Sequence, residues 1–109
     1  MKLSDFEKNY VFTTKIDLND DGTEFVELRE PNQQEFSGFS EDGKKNLEVM
    51  EKIFPSCVIG SSFTDDEGNS VDGKTVYNTL KKSGSLLTEI LSIWIQSIPF
   101  QSRLLKKQK

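Results

Sequence analysis

The chain has 109 residues, a net charge of −4 at pH 7, one cysteine and no histidine. Its 34% apolar content suits a single domain with a modest core and is too high for a disordered chain. These figures exclude a Ser-His or Cys-His catalytic pair, a His-ligated or Cys-clustered metal centre and an internal disulfide, and an isoelectric point near 4.8 argues against a nucleic-acid binder.

In chain order, residues 1–9 are polar and read as a flexible N-terminus without the apolar segment of a secretory signal. Residues 10–100 read as one α+β domain. Between 10 and 18, Tyr10, Phe12, Thr14, Ile16 and Leu18 alternate with more polar neighbours, which predicts a strand with its even positions inward. Asn19-Asp20-Asp21-Gly22 supplies turn residues, and residues 23–29 alternate again, so the two runs predict an antiparallel β-hairpin. Either Phe25 or Val26 joins Leu28 in the core, because a one-residue slip exchanges the two faces.

Pro31 ends the second strand, and Asn32 is placed to cap a short helix over Gln33–Phe36 that Gly38 stops. Ser40 is a candidate cap for a helix over about residues 41–54 that buries Leu47, Met50, Ile53 and Phe54 and ends at Pro55. Residues 57–63 predict a short third strand, followed by a solvated loop. Asp72 or Gly73 then caps a helix over about 74–83 with Val76, Tyr77 and Leu80 inward and Gly84 beyond its end. Ser85 caps a last helix over about 86–97, stopped before Pro99. Residues 101–109 read as a basic mobile tail. The fold expected is an N-terminal hairpin, joined by a third short strand, packed on three to four helices.

Three features bear on chemistry. Asp17 to Gly22 matches the opening of a calcium loop, but Leu28 stands where the closing bidentate Glu belongs, and the flanks read as strands. Asp65, Asp66, Glu67 and Asp72 lie on a Gly/Asn/Ser loop, where wet carboxylates make a poor acid–base pair. Cys57 has no base or cation within four residues to form a thiolate and reads as a buried apolar residue. No cofactor is expected. The final helix carries Leu87, Leu91, Trp94 and Ile98 along one stripe, with Leu86, Ile90 and Ile93 beside it and Ile95 in a third direction. A helix apolar on most sides is either central to the core or pressed against another chain. In the second case Trp94, Leu87, Ile90, Leu91, Ile95 and Ile98 are the candidate partner contacts, with Trp94 as anchor. The stretch is shorter than the ~20 residues needed to cross a bilayer, so no membrane role is expected.

Asp21-Gly22, then Val26-Glu27-Leu28-Arg29-Glu30-Pro31, then a helix start over Asn32–Phe36, resembles the small tail assembly chaperones of long-tailed bacteriophages. The order of the later segments, an apolar helix, an irregular stretch and a leucine-rich C-terminal helix, is also similar. The resemblance implies a non-enzymatic protein of the host bacterial cytoplasm. Such a protein binds the tape-measure protein, keeps its helical, apolar segments soluble and assists tail-tube assembly, so self-association, as a homo-oligomer, or binding to a long helical partner is expected. Two other readings stay open: another phage structural protein, such as a tail-tube or head–tail joining subunit, and a small acidic regulatory binding module.

Overall fold

A computed structural model describes residues 1–98; the expected basic tail, 101–109, lies outside the described residues. The elements are α1 (Leu3–Tyr10), β1 (Thr13–Asp17), β2 (Phe25–Arg29), α2 (Gln33–Phe36), α3 (Gly43–Cys57), β3 (Val58–Ser61), α4 (Gly73–Leu80) and α5 (Gly84–Ser97). The three strands form one antiparallel sheet in the order β1-β2-β3. The class is α+β with an N-terminal hairpin.

The hairpin register pairs Ile16 with Val26 and Thr14 with Leu28. Period-two alternation therefore puts Ile16, Val26 and Leu28 on one face, where all three are buried. Phe25 lies on the opposite face, with the Lys15 ammonium 4.4 Å from its ring centre. The turn closes with Gly22 at φ +71°, a conformation that favours glycine. Asp21 accepts hydrogen bonds from the Thr23 N–H and hydroxyl, which hold its pKa below the ordinary carboxylate value. The Asn19 and Asp21 side chains of this loop are thus engaged in holding the turn. β3 joins β2 through a bulge between Glu27 and Leu28, which brings Val58 opposite Leu28.

The buried face of the sheet is covered by α3, α4 and α5. Met50, Phe54 and Cys57 from α3, Val76 and Leu80 from α4, and Leu87, Ile90, Leu91 and Trp94 from α5 meet Ile16, Val26 and Leu28 in one core. Trp94 lies edge-on to Phe54 with ring centres 5.9 Å apart. Its indole N–H finds no hydrogen-bond partner among the described residues. Phe12, Leu47 and Ile53, expected in the core, are only half-buried.

Several boundaries differ from the expectations. The N-terminus forms helix α1 and takes Tyr10 out of the first strand, so the described residues hold five helices where three to four were expected. Leu3, Phe6 and Tyr10 give that segment a helical stripe, and Phe6 stacks on Tyr10 at 5.2 Å. Pro55 does not end α3, which continues to Cys57. Proline removes one backbone donor there, but it sits in the last turn, where few bonds remain to be broken. The cap of α3 is Asp42, whose carboxylate accepts from the N–H groups of Lys44 and Lys45, rather than Ser40. The third strand is shorter than expected, and α4 ends at Leu80. Ser83 rather than Ser85 caps α5, so Gly84 opens that helix instead of following α4.

Candidate functional site

Five of the six candidate partner contacts on α5 serve the core. Leu87, Ile90, Leu91, Trp94 and Ile98 are each at most 5% exposed. Ile95 is half-buried and packs against that core. The helix turns inward because its broad apolar surface is what closes the open face of the hairpin. The Thr14 and Ser97 hydroxyls, 2.6 Å apart, tie its last turn to β1. What α5 presents to solvent is a narrow apolar edge: Ile93, 42% exposed, with Leu86, partly covered, two turns before it. The edge is legible once one side of the helix is assigned to the sheet, because Leu86 and Ile93 are seven residues, two turns, apart.

The most connected polar group is the joint between β2, α2 and α3. Asn32 and Glu35 form a capping box: the Asn32 side chain accepts from the Glu35 N–H, and the Glu35 carboxylate accepts from the Asn32 N–H at 2.8 Å. The same carboxylate receives Arg29 through two nitrogens, at 2.8 and 3.3 Å. Arg29 also donates to the backbone carbonyls of Glu30 and Ser56, which fastens the end of α3 to the sheet. Burial is the largest single influence on Glu35 and opposes its ionisation. The bonds from Arg29 and Asn32, the Arg29 charge and the Cys57 thiol together outweigh it, so its pKa lies below the ordinary value. The bond to Glu35 raises Arg29 in turn.

Cys57 lies under this joint with its sulfur 3.8 Å from a Glu35 oxygen. Burial, opposed by the Arg29 charge and reinforced by Glu35, pushes its thiol up to about 12. A thiol so placed is protonated at neutral pH and donates weakly to the carboxylate. The segment that carries the resemblance, Val26 to Phe36, is therefore a hairpin–turn–helix corner in which the Arg29 and Glu35 charges are spent on each other.

In the loop after β3, the Asp65 carboxylate accepts from the N–H groups of Glu67 and Asn69, and Thr64 bridges to Ser70. Asp72 caps α4, and hydrogen bonds from Thr75 lower its pKa. The loop's acidic residues are exposed. Among the described residues no three acidic or cysteine side chains gather as a metal cluster, and no helix is long and apolar enough to cross a membrane.

On the outer face of the sheet an open groove of about 600 Å³ runs between the polar side of α1, at Ser4, Asp5, Glu7 and Lys8, and Thr13, Arg29 and Ile59. The opposite side of α1 points to solvent: Leu3 is 89% and Phe6 52% exposed, and no residue of the helix is buried. No site was expected in residues 1–9, yet the spacing of Leu3, Phe6 and Tyr10 is the signal that finds this surface. Compared with known proteins, the chain matches no family model, no curated protein and no solved structure.

Proposed function

We propose that this protein works by binding another protein chain, as a non-enzymatic tail assembly chaperone of a long-tailed bacteriophage acting in the host cytoplasm. The observation that carries the reading is the apolar edge of α5. Ile93 stands in solvent, two turns on from part-covered Leu86, on a helix otherwise committed to the core. An apolar strip on a rigid helix suits side-by-side packing with an amphipathic helix of a partner. The tape-measure protein, long and helical, is the partner the resemblance suggests. The corner from Val26 to Phe36 adds support, since hairpin, proline turn and short helix occur in the order that the resemblance implies.

Coexpression with a tape-measure protein encoded beside it tests the proposal. The soluble fraction of that partner rises in the presence of the wild-type protein and falls back with Ile93→Asp, a change at an exposed position that leaves the fold intact. No gain in soluble partner overturns the reading. Recovery of the protein in purified, washed particles favours a tail-tube or head–tail joining subunit instead.

A further inference from the structure

We propose that the free edge of β1 is a strand-addition site, where an extended segment of another protein pairs antiparallel with Thr13–Asp17. This surface is separate from the α5 edge and does not depend on a chaperone role. β1 stands at one end of the sheet order β1-β2-β3 and pairs with β2 without a bulge. The Glu30 N–H donates to the Phe12 carbonyl and the Leu18 N–H to the Glu24 carbonyl, so the even positions are those bonded to β2. The N–H and C=O groups of Thr13, Lys15 and Asp17 therefore point away from the sheet. None of them is hydrogen-bonded to another described residue, and all three residues are exposed. Natural sheets guard such an edge with a charged side chain held along it, lysine above all. Lys15 is turned to another use: its ammonium lies back over β2, 4.4 Å from the centre of the Phe25 ring.

A row of alternating donors and acceptors is matched by extended backbone, and the side chains beside the row define which segment fits. On the inner face Ile16 and half-buried Leu18 are apolar, so the residues opposite them are apolar. On the outer face Asp17 has no ion-pair partner among the described residues, so the residue opposite it is Lys or Arg. An acidic residue suits the position beside Lys15. Read from its N-terminal end, the partner segment is thus apolar, basic, apolar, acidic. β1 of a second copy is a poor occupant, because full alignment of the two strands sets Lys15 against Lys15.

NMR titration of the full chain with the peptide acetyl-Val-Lys-Val-Glu-Thr-Thr-amide tests this. The amide signals of Thr13, Lys15 and Asp17 are expected to shift saturably, with a dissociation constant on the order of 1 mM for so short and unconstrained a strand. N-methylation of the peptide's glutamate, whose N–H faces the edge, abolishes binding. N-methylation of its second valine, whose N–H points away, leaves binding in place. Lys15→Pro removes an edge donor but no bond to β2, and also abolishes binding. Asp17→Lys weakens binding about threefold, and a peptide with glutamate in place of its lysine recovers it. The absence of saturable shifts at peptide concentrations well above that constant overturns the proposal, as does equal binding of the two methylated peptides. Binding indifferent to the charge exchange overturns the antiparallel register. A dimer of the protein alone that Lys15→Pro dissolves assigns the edge to a second copy and overturns the partner named here. None of these results bears on Ile93, so the two proposals fail separately.

Discussion

At Glu35 one carboxylate closes the capping box of α2, receives Arg29 in a two-pronged bond and lies against the Cys57 thiol. Its pKa is lower in the folded protein than in the unfolded chain. The folded state therefore gives up this proton more readily. The stability it contributes is fully present above the unfolded value and is lost as pH falls toward the folded one. Urea midpoints measured from pH 7 down to pH 3 should fall for the wild type. Glu35→Gln starts lower at pH 7 and falls less steeply. Some slope remains in the variant, because Asp21 and Asp72 are also lowered by their own hydrogen bonds and contribute with the same sign. Parallel slopes for the two proteins would show that the Arg29–Glu35 joint carries no acid sensitivity.

Between elements, a close backbone approach lies where α4 starts against the end of α3. A Cβ on Gly73 would overlap the Pro55 carbonyl oxygen and press on Val58. Gly73→Ala is therefore an overpacking change against backbone, expected to cost about 1–3 kcal/mol in chemical denaturation. Gly84→Ala, at the start of α5 with open space around it, is the control and should be neutral or slightly stabilising. The same contrast between local and distant causes decides which elements could be read in the sequence. The hairpin was legible because alternation and an Asn-Asp-Asp-Gly turn are local signals. So was α2, from Pro31, Asn32 and Glu35 at fixed offsets. The extension of α3 through Pro55 was not, because what holds that last turn is Arg29 reaching the Ser56 carbonyl from a strand far off in the chain. The choice of Val26 over Phe25 likewise came from which face α3 and α5 cover. At the candidate site the apolar character of α5 was plain, but its direction was not. A stripe that fits a core fits a partner equally well until the sheet is in place. α1 was missed because an amphipathic octamer with no core to serve looks like a polar lead-in.

For the whole molecule, the distribution of buried surface sets where it opens. β2, α3, α4 and α5 share the residues with no accessible surface, whereas α1 has none. Amide hydrogen exchange in dilute solution should show α1 exchanging almost as an unfolded peptide, and the centres of β2, α3 and α5 exchanging slowest and together. Protection of α1 as strong as that of α5 in dilute solution would mean that α1 belongs to the cooperative unit.

The bond between Thr14 and Ser97 spans 83 positions of sequence. A ribosome makes β1 among the first parts of this domain and α5 as its last helix. While α5 is still inside the exit tunnel, Ile16, Val26 and Leu28 have only part of their cover. The apolar side of the hairpin cannot be fully covered until the segment through Ile98 has emerged. Completion of the fold is thus timed to the end of the domain's synthesis, and a stalled or shortened chain would leave a sticky sheet rather than a smaller stable protein.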